Sequence, residues 1–212
     1  MLDIGCGIGA YVRKLQEFSE LVYGIDIDPA RVHQTELSGL TVAVSERLPF
    51  ADGAFDVVLL NEVIEHVQDD AATLREACRV ARPGGHVVIF APNRLYPLET
   101  HGIYLGKRYV FGNIPLVNYL PNPLRRRLVP HARAYTTRGL RRLFEKLPAE
   151  LVVHTQVYPG FDNIAARSGV LGRLLRSIFY RLESTALRAF GLSHFVVLRT
   201  RPEQSAREVA HG

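Results

Sequence analysis

Two groups of residues among the first seventy positions have types and spacings that could do chemistry. The first is the run Asp3-Ile4-Gly5-Cys6-Gly7-Ile8-Gly9, with Asp26 following it. Glycines between a strand end and a helix start permit a tight turn and let a ligand approach the backbone closely. An acidic side chain about twenty residues on, at the end of the next strand, is placed to accept hydrogen bonds from two ribose hydroxyls. The pair points to an adenosine-bearing cofactor. The glycines fall at 5, 7 and 9, not in the G-x-G-x-x-G order that seats a pyrophosphate on a helix N-terminus. Asp3, just before them, suits an ammonium group better than a phosphate. S-adenosylmethionine has an amino-acid tail and no phosphate, and is the cofactor this loop implies.

The second group is Glu62, Glu65 and His66, at i, i+3 and i+4. If a helix begins there, the three side chains share one face. Such a set could hold a divalent metal, with Glu99 or His101 as further ligands. His66 alone could serve as a general base, because the ordinary imidazole pKa lies near working pH. A structural hydrogen bond is the competing role for it, and both readings stand at this point. Tyr96, His131 and Tyr135 are further candidates whose plainer roles are packing or surface exposure.

The elements that must position these residues alternate between short β-branched runs and helical patterns, the rhythm of a parallel sheet with crossover helices. Strands are expected at 2–4, 21–25, 40–44, 57–60, 86–91, 151–157 and 194–200. The first helix carries Ile8, Tyr11, Val12, Leu15 and Phe18 at helical spacing. A second starts at Asp28-Pro29, an N-cap followed by proline, and runs to about Glu36. A third opens at Asp69 and Asp70, places Leu74, Ala77, Cys78 and Ala81 on one face, and stops at Pro83-Gly84-Gly85. Another is expected over 137–146. The fold class is α/β: a Rossmann-like doubly wound sheet, mostly parallel with the last strand antiparallel, and helices on both faces. Residues 1–212 read as a single domain.

Prolines at 97, 115, 121, 123 and 130 break this rhythm, so 93–134 reads as an insertion or lid on the substrate side. A second such insertion spans 160–192. Within it, 170–190 reads as an amphipathic helix, with Leu171, Leu174, Leu175, Ile178, Phe179 and Leu182 on one side and Arg173, Arg176, Arg181 and Arg188 on the other. The plain expectation is a helix packing its apolar side on the domain; the sharper one is peripheral contact with an anionic membrane. Residues 202–212 read as a loose tail.

With 47% apolar and 22% charged residues in 212, the chain has the composition of an ordinary globular protein. Its apolar runs are too short to cross a bilayer, and a cytoplasmic location is the default expectation. Cys6 and Cys78 lack the spacing of a metal knuckle or redox pair and read as small buried hydrophobes. The net charge of +5 conceals a division: residues 1–93 hold 7 Lys+Arg against 14 Asp+Glu, whereas 94–201 hold 18 against 5. The basic half attracts anionic groups on substrates, lipids or nucleic acid without choosing among them.

The motifs LDIGCGIG at 2–9, YGIDIDP at 23–29, SERLPF at 45–50, FDVVLLNEVIEHV at 55–67 and RPGGHVVIFAPN at 82–93 closely resemble the class I S-adenosylmethionine-dependent methyltransferases, in particular the ubiquinone-biosynthesis-like branch. The resemblance implies that Asp3, Gly5 and Gly7 hold the methionine end of the cofactor and that Asp26 takes the ribose. It further implies that Ile27 packs on the adenine, that Glu46 and Leu48 border it, and that Asn61 faces the methionine portion. Val44 stands where the family often has an acidic residue. Family members normally carry N-terminal helices ahead of the first strand, and this sequence begins inside that strand, so a domain without them is expected. The expected activity is O-methylation of a small or lipid-like acceptor, of which quinone precursors are an example. An RNA ribose 2′-O-methyltransferase using a divalent metal is one rival, resembled through EVIEH. The others are a non-catalytic cofactor-binding or membrane-surface scaffold and a nicotinamide-dependent oxidoreductase.

Overall fold

The computed structural model describes residues 1–202, so the expected tail lies outside the described residues beyond Pro202. In chain order the elements are β1 (Leu2–Ile4), α1 (Ala10–Leu15), β2 (Tyr23–Asp26), α2 (Pro29–Val32), β3 (Leu40–Val42), β4 (Phe55–Asn61), α3 (Asp70–Val80) and β5 (Ala81–Pro92). Four short strands follow, β6 (Leu98–Glu99), β7 (Ile103–Leu105), β8 (Arg108–Val110) and β9 (Ile114–Pro115), then α4 (Asn122–Leu128). The chain ends with α5 (Thr137–Phe144), β10 (Ala149–Val157), α6 (Asp162–Arg167), α7 (Gly169–Glu183) and β11 (Ser193–Thr200). Two compact units result: Met1–Phe90 with Leu140–Val153 and the chain from Val196, and Ala91–Gly139 with His154–Phe195.

The main sheet has seven strands in the order β10-β11-β5-β4-β1-β2-β3. β1 pairs in parallel with both β2 and β4, and β4 in parallel with β5. The last strand runs antiparallel, as the fold class stated above has it. Its strands read as near-continuous apolar runs because both faces are covered: Leu2, Ile4, Ile25, Val58, Leu60, Val87 and Ile89 are all buried. Strand order reverses about β1, with β2 on one side and β4 on the other. Ligands of doubly wound sheets bind at such a switch point, beyond the carboxyl ends of the strands. Here those ends are Gly5 after β1 and Asn61 closing β4.

Several helices differ from expectation; the one expected over 170–190 ends at Glu183, and a separate 3₁₀ turn follows at Ala186–Phe190. α2 starts as foreseen, with Asp28 accepting from the Ala30 amide at 2.9 Å and Pro29 in the first turn, but it ends at Val32 instead of Glu36. The Thr35 hydroxyl accepts from the Leu37 amide at 3.3 Å, a local turn that competes with helix continuation. α3 is capped by Asp69, which accepts from Ala72 at 2.9 Å, and buries Leu74, Ala77 and Cys78; Ala81 already belongs to β5. Between Ala81, which pairs with Phe55, and His86, which pairs with Val57, the Pro83-Gly84-Gly85 run shifts the register of β5.

The second unit has its own small core of Ile103, Val117, Val129 and Ala132, with Val110, Ile114, Leu120 and Leu128 packed on it. β6 pairs antiparallel with β9, and β7 with β8. A buried polar group holds these pieces together. Arg125 donates to Glu99 at 2.6 Å, to Asn118 at 3.0 Å and to the Ala132 carbonyl at 2.9 Å, while Asn118 donates to the Leu98 carbonyl at 3.0 Å.

Candidate cofactor site

At the carboxyl end of β1 the chain turns through Gly5, Gly7 and Gly9, all at positive φ. Gly5 donates to the Ile25 carbonyl at 2.7 Å, and a Cβ there would lie 2.5 Å from a Val63 methyl. Gly7 is different: its φ is +54°, yet a Cβ on it would meet nothing within 4 Å. Its amide donates to one carboxylate oxygen of Asp26 at 2.8 Å, and the Asp28 amide donates to the other at 2.9 Å. Asp26 therefore clamps the glycine loop to the end of β2. Each of its oxygens can accept a second hydrogen bond, so the clamp remains compatible with a ribose diol.

Beneath the loop lies a cavity of about 400 Å³, within the range of small-ligand sites, lined by Asp3, Gly5, Gly7, Tyr11, Arg31 and Asn61 among others. Asp3 is 2% exposed, and its Oδ2 has no hydrogen-bond partner. Burial, with a smaller contribution from the Asp26 charge, pushes its carboxyl up to about 7. A buried acceptor without a donor is costly. A cationic amine delivered into the cavity would supply the donor and the charge together, whereas a phosphate would add repulsion. The donor set thus fits the aminoacyl end of S-adenosylmethionine.

The remaining expected cofactor residues distribute less evenly. Asn61, half-buried at the end of β4, lines the cavity. Ile27 is 68% exposed, an apolar side chain available for a ring to cover. The Glu46 carboxylate accepts from the Gln68 amide at 3.0 Å, from the Asp69 amide at 3.4 Å and from Ser45 at 3.2 Å, so it splices two loops together. Leu48 is buried, with its amide on Glu76 at 2.8 Å. Arg79 holds the same loop through Glu76, Asp52 and the Leu48 and Phe50 carbonyls. Tyr11, Arg31 and Gln34 line the cavity and were missed in the sequence. Only the position of Tyr11 in the first turns after the glycine loop could have signalled one of them.

Glu62, Glu65 and His66 do not share a helical face. Glu62 adopts a φ of +55° directly after β4, which ends any right-handed helix at that point, and the segment forms turns until Asp69 caps α3. Glu65 is 2% exposed, and burial together with the neighbouring Glu62 raises its carboxyl well above the usual range. His66 is exposed, with Nε2 3.8 Å from a Glu65 oxygen.

The weaker candidates lie in the second unit. Tyr135 is buried, and its carbonyl meets Nε2 of the fully buried His194 at 3.0 Å. Nδ1 of His194 lies 3.2 Å from both His154 and Gln156. Tyr96 is half-buried, and burial raises its phenol. His131 has Nε2 3.0 Å from the His101 carbonyl and packs edge-on to Tyr104 and Tyr109. Cys6 and Cys78 are buried free thiols.

A methyltransferase-domain family model matches residues 2–89, the stretch that builds the glycine loop, Asp26 and Asn61. Over that stretch the chain is similar to methyltransferase domains. Norajmaline N-methyltransferase of Rauvolfia serpentina is 40% identical over 102 residues, covering 43% of this chain and 35% of that enzyme. Ubiquinone biosynthesis O-methyltransferase of Pseudomonas aeruginosa is 34% identical over 128 residues, covering 54% of this chain and 53% of the relative. The chain therefore spans about a third to a half of the length of these curated relatives. In three dimensions it is similar to an S-adenosylmethionine-dependent methyltransferase from Mesorhizobium loti, with a TM-score of 0.61 and 18% identity over 93% of this chain and 89% of the other. At that identity the likeness shows the fold alone. No helix among the described residues is long and apolar enough to cross a membrane.

Proposed function

We propose that the protein transfers a methyl group from S-adenosylmethionine to an oxygen of a small or lipid-like acceptor. The observation that carries the cofactor half of this reading is the buried Asp3 carboxylate, its Oδ2 without a partner, lining a cavity together with Gly7. The bound cofactor would supply an electrophilic methyl group on a sulfonium. Asp3 and the loop at Gly5 and Gly7 hold the aminoacyl end, Asp26 holds the ribose, and Asn61 borders the methionine portion. With the cofactor fixed in this way, methyl transfer is mainly a matter of orienting an acceptor and excluding water, and orientation alone can supply an effective molarity of about 10⁵ M or more.

The oxygen preference draws on the ubiquinone O-methyltransferases among the relatives; the N-methyltransferase among them makes nitrogen the competing acceptor atom. A hydroxyl acceptor must lose its proton, and His66 is the candidate to take it: the imidazole is exposed and follows the strand that carries Asn61. Replacing His66→Ala should lower kcat by about 10²–10⁴ on a phenolic acceptor while leaving S-adenosylhomocysteine binding unchanged. An unchanged kcat would remove His66 from the reaction.

Calorimetric titration with S-adenosylhomocysteine, with and without Asp26→Ala, tests the cofactor half. Saturable binding that the substitution abolishes is the expected result. A folded protein that fails to bind, or an Asp26→Ala variant that binds as tightly as the wild type, overturns the assignment.

A further inference from the structure

Helix α7 has more apolar surface than its packing uses. Its inner arc is closed: Gly172 is buried so tightly against α6 that a Cβ would approach Ala165 to 2.5 Å. On the same arc, Phe179 packs against Tyr158 and Phe161 at centroid distances of 4.9 and 5.0 Å. The outer arc carries Val170, Leu171, Leu174 and Ile178, at i, i+1, i+4 and i+8, and these are 72%, 46%, 55% and 46% exposed. Leu187 and Phe190, in the 3₁₀ turn that follows, are exposed as well. The expectation that the helix packs its apolar side away therefore holds for only half of that side.

The charges around this arc have one sign. Residues 160–192 contain five arginines and two carboxylates. Both carboxylates are engaged, Asp162 with Arg176 at 2.7 Å and Glu183 with the Tyr158 amide at 2.8 Å. Arg173, Arg181 and Arg188 are exposed, and no carboxylate among the described residues pairs with them. At 100° per residue Arg181 falls on the same arc as Val170 and Leu174, and Arg173 flanks it.

We propose that this face of α7 and the turn after it dock on an anionic phospholipid bilayer. Val170, Leu171, Leu174 and Ile178 enter the boundary between headgroups and acyl chains, and Arg173, Arg181 and Arg188 reach the lipid phosphates along their apolar stems. A second copy of the chain fits worse. Two-fold packing of this arc would set its arginines against their own equivalents with no carboxylate between them. The helix is 15 residues long, too short to span a bilayer, and would lie in the interface plane. The proposal does not rest on the methyl-transfer reading, because docking needs neither cofactor nor acceptor.

The chain contains no tryptophan, so Leu174→Trp places a single reporter on the arc. With vesicles of phosphatidylcholine and phosphatidylglycerol in a two-to-one ratio, its emission should shift to the blue. The wild-type chain should co-sediment with the same vesicles, less so at high salt and not with phosphatidylcholine alone. Arg173→Gln with Arg181→Gln should weaken binding by roughly twenty-five-fold, at about fivefold per arginine, with an unchanged circular dichroism spectrum. Absence of binding to anionic vesicles overturns the proposal, as does equal binding by the double variant. A concentration-dependent dimer that Leu174→Asp dissolves, with no vesicle binding, would assign the face to a second copy.

Discussion

Asp3 in the first unit and Glu99 in the second are both buried carboxylates, 2% and 1% exposed, whose acidities have moved in opposite directions. Burial and the Asp26 charge raise Asp3 to about 7. Burial also pushes Glu99 upward, but hydrogen bonds from the His101 ring and amide, together with the Arg125 guanidinium, outweigh it and hold the group at about 2. The same physical cost has been met in one place from inside the protein and in the other not at all. A buried carboxylate given every partner it can use is part of the scaffold. One left facing an open cavity is a receptor for a cation that arrives from outside, and such receptors are where stability is traded for binding.

Breaking the closed pair should have the largest effect. Arg125→Met leaves Glu99 buried without its cation and strips Asn118 and the Ala132 carbonyl of a donor, so the free energy of unfolding in urea should fall by about 3–5 kcal/mol. A loss below about 1 kcal/mol, the value of an exposed pair, would mean that the second unit is not organised around this network. Because Glu99 has a depressed pKa, its stabilisation is present above the ordinary carboxylate value of 4.5 and is lost as pH falls through about 2. Glu99→Gln should flatten that acid limb of the stability curve.

Asp3→Asn should act the other way on stability and against binding. Removing a desolvated carboxylate should leave the unliganded fold as stable as before, or more so. Binding of S-adenosylhomocysteine should weaken by about 10- to 100-fold, the usual worth of a charge-assisted hydrogen bond. Asp3 has a raised pKa, so in the wild type its contribution favours the fold at low pH and declines as pH rises from about 4 to about 7. Binding of an ammonium requires the ionised form. Wild-type affinity should therefore fall by up to about tenfold per pH unit below 7, and the Asn variant should show no such slope. A variant that lost stability and affinity together would erase the contrast between the two carboxylates.

The contrast also separates what the sequence discloses from what it hides. The order of β1 to β5, the Asp28 and Asp69 caps, and the placing of Asp3, Gly7, Asp26 and Asn61 follow from local patterns, because each depends on neighbours within a few residues or on a fixed motif spacing. Glu62, Glu65 and His66 had helical spacing but not helical backbone, since spacing carries no information about the positive φ that Glu62 adopts where β4 ends. The Glu99–Arg125 pair joins residues 26 positions apart through an irregular segment in which no periodicity predicts a partner. In α7 the apolar positions were legible, but not which half of them would find a neighbour; that depends on α6 and on Phe161, which lie outside the helix.

The last test falls on Gly7, which lines the cavity, and it addresses the open half of the comparison most directly. Gly5→Ala must move the Val63 side chain and adopt a strained φ of +75°, so its main effect should be on folding. Gly7→Ala carries only the backbone strain of a left-handed residue, about 1–2 kcal/mol, because its methyl group meets no protein atom. That methyl projects into space reserved for a ligand if the cavity is the cofactor site. Titration with S-adenosylhomocysteine should then show affinity falling more steeply for Gly7→Ala than its change in unfolding free energy accounts for. If Gly7→Ala binds as tightly as the wild type, the space beside it belongs to no ligand, and the unpartnered Oδ2 of Asp3 must be explained in some other way.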